Sequence, residues 1–127
     1  MAAADFELED RVAVVTGGYG VLGGSMADAL AGAGARVAVL GRNREAAAAK
    51  VEALRASGAS AMALVASALD EAELRAARDS VVKEWGGVDI LVNAAGGSRP
   101  FPFEATKEQW AEGILVNFIR LDRKSVV

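Results

Sequence analysis

The fold is decided by the stretch Val12-Ala13-Val14-Val15-Thr16-Gly17-Gly18-Tyr19-Gly20-Val21-Leu22-Gly23-Gly24. A short apolar, β-branched run leads into a cluster of glycines, and the next residues place apolar side chains at helical spacing. Between a strand and a helix, Gly18-x-Gly20-x-x-Gly23 matches the fingerprint of a dinucleotide-binding loop. Glycines let the backbone approach a pyrophosphate, and the helix points N–H groups and its positive dipole end at the phosphates. A glycine-rich turn without a ligand is the alternative interpretation.

The composition excludes several classes of function. The 127 residues carry a net charge of −3, so they offer no basic surface for nucleic acid. No apolar run reaches the length of a membrane span, and the acidic N-terminus has no signal-peptide pattern, so we expect a cytoplasmic protein with no membrane partner. The chain contains neither cysteine nor histidine, which excludes disulfides, Ser-His-Asp triads and ordinary zinc sites, and no metal site is predicted.

Strand and helix patterns alternate along the whole chain. Strands are predicted over residues 12–16, 36–40, 60–66 and 88–93, and a first helix over 21–33. Asn43 is predicted to cap a second helix that ends at about residue 57, and Asp70, with Glu73 three residues on, gives a capping-box-like start to a third over 71–85. A last helix begins at the capping box over 106–109. The first helix is expected to bury the stripe Leu22, Met26, Ala29 and Leu30. Short connections in this order predict an α/β fold with a doubly wound parallel sheet of right-handed crossovers, in one domain over residues 1–127.

The nucleotide of such a fold lies at the carboxyl ends of the strands, where the strand order reverses. Residues 16–23 and 93–97 are predicted to border that crevice together. The end of the second strand, which meets the adenosine ribose, reads Gly41-Arg42-Asn43 and holds no carboxylate to repel a 2′-phosphate. Because the planar, always-charged guanidinium of Arg42 suits a phosphate, we expect NADP, with NAD as the alternative cofactor. The alternative for Arg42 is an ordinary solvated arginine.

These motifs resemble those of the short-chain dehydrogenase/reductase family over residues 8 to about 119. Residues 16–23 are similar to its TGxxxGxG cofactor loop, and Asn93-Ala94-Ala95-Gly96 is similar to its NNAG motif. The Gly-Val-Leu-Gly-Gly form of the loop resembles the branch of fructuronate and mannonate (sugar-acid) oxidoreductases. The resemblance implies a Rossmann-type sheet, truncated after about four strands, in an NAD(P)-dependent oxidoreductase that transfers hydride between nicotinamide and a carbonyl or hydroxyl substrate.

The cofactor site that the resemblance implies is drawn from four loops. Its expected residues are Thr16, Gly17, Gly18, Tyr19, Gly20, Val21, Leu22, Gly23, Gly41, Arg42, Asn43, Ser67, Ala68, Asn93, Ala94, Ala95 and Gly96. Three of them depart from the family pattern. Val21 stands at the middle glycine of the loop, Ala94 replaces the second asparagine, and Ser67 replaces an aspartate that would contact the adenine amino group.

The family's catalytic serine and its Tyr-x-x-x-Lys are missing from the sequence. The one tyrosine, Tyr19, is followed four residues later by a glycine, so Asn117, at the family's helix asparagine, is the one predicted catalytic residue. Residues 120–127 form an atypical tail. We therefore expect the 127 residues to bind the cofactor without turnover. The alternative is a non-catalytic nucleotide-binding or interaction fragment of a truncated gene, whose uncovered strand edge and last helix predict self-association or a homo-oligomer.

Overall fold

The computed structural model describes residues 7–95, 106–108 and 111. Within them, strands and helices alternate in the order β1 Val12–Thr16, α1 Val21–Gly32, β2 Arg36–Gly41, α2 Arg44–Ala56, β3 Ala61–Val65, α3 Glu71–Trp85 and β4 Ile90–Asn93. The strands form one parallel sheet in the order β3-β2-β1-β4. The chain therefore winds outward from β1 to β3 and then crosses back to β4, which places the reversal of strand order beside β1. The predicted doubly wound α/β fold is confirmed.

The apolar character of the strands explains how the sheet is covered. All five residues of β1 are buried, as a central parallel strand covered on both faces requires. Ala13 and Val15 face the core under α1 and α2, whereas Val12 and Val14 face the core under α3. The residues of β4 are only half-buried, and among the described residues this strand pairs with β1 alone.

The predicted buried stripe of α1 is wrong in its phase. The helix buries Gly23, Gly24 and Ala27, while Leu22 and Met26 are 72% and 42% exposed. Ala29 is also exposed and Leu30 is half-buried. The reason is steric: α1 lies so close to the turn after β1 that a Cβ on Gly23 would overlap the carbonyl group of Gly17. The smallest residues of the helix therefore face the sheet, and its larger apolar residues do not.

The predicted helix starts are confirmed at α2 and α3. The Asn43 carboxamide oxygen accepts the Ala46 N–H at 3.0 Å, and the Asp70 carboxylate accepts the Glu73 N–H at 3.0 Å. Of the predicted last helix, Lys107, Glu108 and Ala111 are helical. Gly96, Asn117 and the tail over 120–127 lie outside the described residues. In the part of the chain that the structure describes, every helix is too short or too polar to cross a membrane.

Candidate dinucleotide-binding site

The β1–α1 loop is a tight turn that only glycine accommodates at its start. Gly17 has a φ of 67° and donates its N–H to the Leu40 carbonyl at 2.8 Å, which ties the loop to the end of β2. A Cβ on Gly17 would lie 2.9 Å from the Ala95 Cα, so the backbone after β4 packs directly on this residue. Gly20 then donates its N–H to the Gly17 carbonyl at 2.9 Å and closes the turn.

The first turn of α1 points at the carboxyl ends of the strands. Gly20 is its N-cap and supplies no side-chain cap, and the first turn contains no acidic residue. Its first N–H groups and the positive end of its dipole are therefore available to an anion. No side chain at the exposed Gly20 covers these N–H groups, so this arrangement fits a diphosphate.

Thr16 joins the β1–α1 loop to the loop after β4. Its hydroxyl donates to the Val92 carbonyl at 3.3 Å and accepts the Ala95 N–H at 3.2 Å. The residue is 1% exposed, so its hydroxyl bonds to protein groups rather than to solvent. Asn93 ends β4 beside it, and its buried side-chain oxygen has no hydrogen-bond partner among the described residues. Thr16 thus positions the two loops against each other at the switch point of the sheet.

The end of β2 carries the charge of the site. Arg42 is exposed and forms no ion pair with the residues that the structure describes. Tyr19 reaches across from the glycine loop, and its hydroxyl accepts the Asn43 N–H at 3.2 Å. Its ring lies so close to Gly41 that a Cβ on that glycine would overlap it.

The turn after β3 is held by its own polar groups. The Ser67 hydroxyl accepts the Leu69 N–H at 3.2 Å, and the Glu73 carboxylate accepts the Ser67 N–H at 3.3 Å. The reciprocal bond of a capping box is absent here, since the Asp70 N–H donates to the Ser67 carbonyl instead, at 3.1 Å. The hydroxyl that replaces the expected aspartate is therefore engaged within its own turn.

One cavity of about 380 Å³ brings these loops together at the carboxyl ends of the strands. Eleven of the predicted site residues line it: Gly17, Tyr19, Gly20, Val21, Leu22, Gly23, Gly41, Arg42, Ala68, Ala94 and Ala95. Thr16, Gly18, Asn43, Ser67 and Asn93 are described but do not line it. Leu40 and Ala66 also line it and were not predicted, although each lies at the carboxyl end of a predicted strand. Arg42 is the one charged side chain among the described lining residues.

The fold and the glycine loop define a nucleotide-binding domain of the Rossmann type, and comparison with known proteins identifies its family. Residues 11–120 match the family model for short chain dehydrogenases. The chain belongs to the short-chain dehydrogenase/reductase family, so the resemblance drawn from its two glycine-containing motifs is confirmed.

Individual relatives agree with this assignment. An uncharacterized oxidoreductase, UxuB of Bacillus subtilis, is 42% identical over 93 residues, which are 73% of this chain and 34% of that protein. A solved Haemophilus influenzae protein with bound NAD, provisionally assigned as a D-mannonate oxidoreductase, gives a TM-score of 0.88 at 26% identity and covers 100% of this chain and 52% of its own. The L-sorbose reductase of Gluconobacter frateurii, solved with NADPH and L-sorbose, gives 0.84 at 25% identity, covering 96% and 47%. This chain therefore spans between about a third and about a half of the relatives it matches.

Proposed function

We propose that this chain forms the cofactor-binding part of an NAD(P)-dependent oxidoreductase acting on CH–OH groups. The observation that carries the proposal is the uncapped first turn of α1, which faces a cavity of about 380 Å³ across glycines that leave the backbone accessible. A cavity of this size at the switch point of a parallel sheet is typical of a nucleotide site. The NAD and NADPH bound in the two solved relatives support the same class of ligand.

Each loop has a distinct task in this proposal. The backbone of Gly20 to Gly23 holds the diphosphate, while the Thr16 hydroxyl keeps the loop after β4 in place beside it. Ala94 and Ala95 border the cavity with backbone and methyl groups only, which leaves room for a flat ring system. A bound nicotinamide dinucleotide would supply the hydride donor or acceptor of the reaction.

The residues 1–127 are expected to bind without turnover. General acid–base catalysis needs a titratable group beside the reacting oxygen. The sequence has no histidine or cysteine, and its one tyrosine, Tyr19, lies at the end of β2 against Gly41. Asn117 is the one residue that we assign to a catalytic motif. Purified 1–127 mixed with NADPH and sugar-derived keto acids should show no oxidation above buffer, and a measurable rate would contradict this part of the proposal.

NADP is the cofactor that the charge of the site favours. Arg42 lines the cavity at the end of β2, is exposed, and pairs with no acidic group among the described residues. A guanidinium that is not neutralised can bind a 2′-phosphate through two parallel hydrogen bonds. No carboxylate among the described lining residues is placed to bind a 2′-hydroxyl or to repel that phosphate.

Titration of Arg42→Ala with NADPH and with NADH tests this assignment. We expect the wild type to bind NADPH more tightly than NADH, and the variant to lose about tenfold in NADPH affinity while its NADH affinity changes little. Arg44→Ala is the matched control, since Arg44 is also exposed but does not line the cavity. An unchanged NADPH affinity in Arg42→Ala, or an equal loss in Arg44→Ala, would contradict a 2′-phosphate contact at Arg42. If the wild type binds neither cofactor, the proposed function itself is wrong.

For the substrate we propose a sugar acid or its keto form. The support is the Gly-Val-Leu-Gly-Gly form of the loop together with the D-mannonate oxidoreductase assignment of a solved relative. A cytoplasmic location is a prediction from the sequence, as is the expectation that neither nucleic acid nor membrane is a partner.

A second candidate is a non-catalytic nucleotide-binding or interaction module. It is favoured by β4, whose four residues are all half-buried and which, among the described residues, pairs on one side only. A strand with one free edge offers unpaired N–H and C=O groups to another chain. Size-exclusion chromatography should then give a dimer or larger species, and a clean monomer would count against this candidate.

A further inference from the structure

Tyr19 fills the space in which a ribose-binding carboxylate would stand. In dinucleotide-binding domains an acidic side chain at the end of the second strand binds the ribose 2′-hydroxyl. Here that strand ends in Gly41, and even a Cβ at this position would overlap the Tyr19 ring. The ring is half-buried and packs against the core under α1 and α2, so it is held there by apolar contacts.

The hydroxyl of Tyr19 has one hydrogen bond still to make. It accepts the Asn43 N–H at 3.2 Å, which anchors the turn that carries Arg42. A phenol also donates one proton, and no group in the described part of the chain accepts it. Both Tyr19 and Arg42 line the same cavity. Among the described lining residues no carboxylate accompanies this O–H donor and the guanidinium. The two groups therefore form a subsite that suits a phosphate, which accepts hydrogen bonds, better than a hydroxyl, which must also donate one.

We propose that Tyr19 is a specificity-determining residue whose hydroxyl donates a hydrogen bond to the 2′-phosphate of NADP and whose ring occupies the space that an acidic side chain at position 41 would need. The inference rests on the proposed function, because it concerns how the same site recognises the 2′-phosphate of the cofactor. It assigns two effects to one side chain. The ring occupies the space next to position 41 and would have to shift to admit a carboxylate there, and the hydroxyl supplies a hydrogen-bond donor to the cavity that Arg42 also lines.

The donor effect is tested by Tyr19→Phe, which keeps the ring over Gly41 and removes only the hydroxyl. We expect the affinity for NADPH, measured by calorimetry, to fall about tenfold or more, and the affinity for NADH to change less than about twofold. Thermal unfolding of each variant, followed by circular dichroism, checks that it is folded. Because loss of folded protein lowers both affinities alike, the NADPH-to-NADH ratio separates a specific effect from unfolding. Since the Asn43 N–H bond also anchors the turn that carries Arg42, Tyr19→Phe is repeated in the Arg42→Ala background. A direct contact between the Tyr19 hydroxyl and the 2′-phosphate should still lower NADPH affinity there, whereas a displacement of Arg42 should not.

The steric effect is tested by Gly41→Asp in two backgrounds. Alone, this substitution places its side chain against the Tyr19 ring, so we expect it to weaken NADPH without strengthening NADH. In the Tyr19→Ala background the space is open, and Gly41→Asp should raise NADH affinity several-fold above that of Tyr19→Ala. Equal NADH gains in both backgrounds would overturn the steric part.

The possible results separate this inference from the proposed function. If the wild type binds NADPH preferentially and Tyr19→Phe leaves both affinities unchanged, the inference is wrong and the function stands. If Tyr19→Phe weakens NADPH and NADH equally, or weakens NADPH only while Arg42 is present, Tyr19 only supports the turn, and its contact with the 2′-phosphate is wrong. If the wild type binds neither cofactor, the proposed function and this inference both fail.

Discussion

Gly23 and Gly24 are neighbours in α1, but alanine is expected to destabilise the protein at Gly23 and to stabilise it at Gly24. Both lie in the first turns of α1 and both are buried. A Cβ on Gly23 would overlap the Gly17 carbonyl oxygen and would lie 3.3 Å from the Ala94 side chain. On Gly24 the nearest atoms, the Gly18 carbonyl oxygen and the Lys50 ammonium nitrogen, are 3.6 Å away, which is an ordinary contact distance. Only Gly23 therefore faces backbone that cannot move aside.

The two substitutions are expected to change the free energy of unfolding in opposite directions. Each substitution gains about 0.5–1 kcal/mol because alanine favours the helix over glycine. At Gly24 this is the main effect, so we expect Gly24→Ala to be more stable by about that amount. At Gly23 the overlap is with backbone, so the overpacking cost should lie near the top of the usual range of about 1–3 kcal/mol. After the helix gain is subtracted, Gly23→Ala should be less stable by about 2 kcal/mol. In a domain of this size, 1 kcal/mol corresponds to about 4 °C in Tm.

Thermal unfolding followed by circular dichroism measures both shifts, and an NADPH titration measures their effect on the site. Gly23→Ala should lower Tm and weaken NADPH, because the helix must retreat from the loop that it supports. Gly24→Ala should raise Tm slightly and leave the affinity within about twofold. Equal Tm shifts for the two variants, or a Gly23→Ala protein as stable as the wild type, would refute the close approach of α1 to the loop.

Two further predictions concern stability away from the site. Gly86 ends α3 with a φ of 89°, and no atom of the described residues lies within 4 Å of a Cβ built on it or on Gly87. Gly86→Ala should therefore lower the free energy of unfolding in urea by about 1 kcal/mol, whereas Gly87→Ala, at a position without a positive φ, should lower it by less than about 0.5 kcal/mol. Equal losses of stability in the two variants would show that the positive φ of Gly86 does not cause the loss. Asp70→Ala removes the cap of α3 and should also cost about 1 kcal/mol by the same measurement, against less than about 0.5 for the exposed Asp79→Ala, and a neutral Asp70→Ala would contradict the capping bond.

Local patterns explain why the order of elements could be predicted from the sequence. The β-branched run of β1, the glycines after it and the caps Asn43 and Asp70 each act over a few residues. The parallel order then follows from short connections and right-handed crossovers. The glycine loop also accounts for six of the thirteen described lining residues of the cavity, because the spacing of its glycines decides how closely the backbone can approach a ligand.

The phase of α1 and the contacts of Tyr19 could not be predicted in the same way. The usual rule places the largest apolar residues of a helix inside, but at this loop close packing on Gly17 selects the glycine and alanine face, and Leu22 remains exposed. The Tyr19 contacts with Gly41 and Asn43 depend on where the turn directs a side chain across two strands. The two hydrogen bonds of the buried Thr16 hydroxyl likewise depend on where the fold brings the loop after β4.

Amide chemical shifts during an NADPH titration of the ¹⁵N-labelled chain give the most direct test of the central claim, that the β1–α1 loop holds the diphosphate. The account predicts that the largest shifts fall on the amides of Gly20, Val21, Leu22 and Gly23, with smaller ones near Arg42. The amide chemical shifts of Gly58 and Gly86, which precede β3 and β4 at the opposite end of the sheet, should not change. Shifts centred on that opposite end, or none at saturating NADPH, would contradict it.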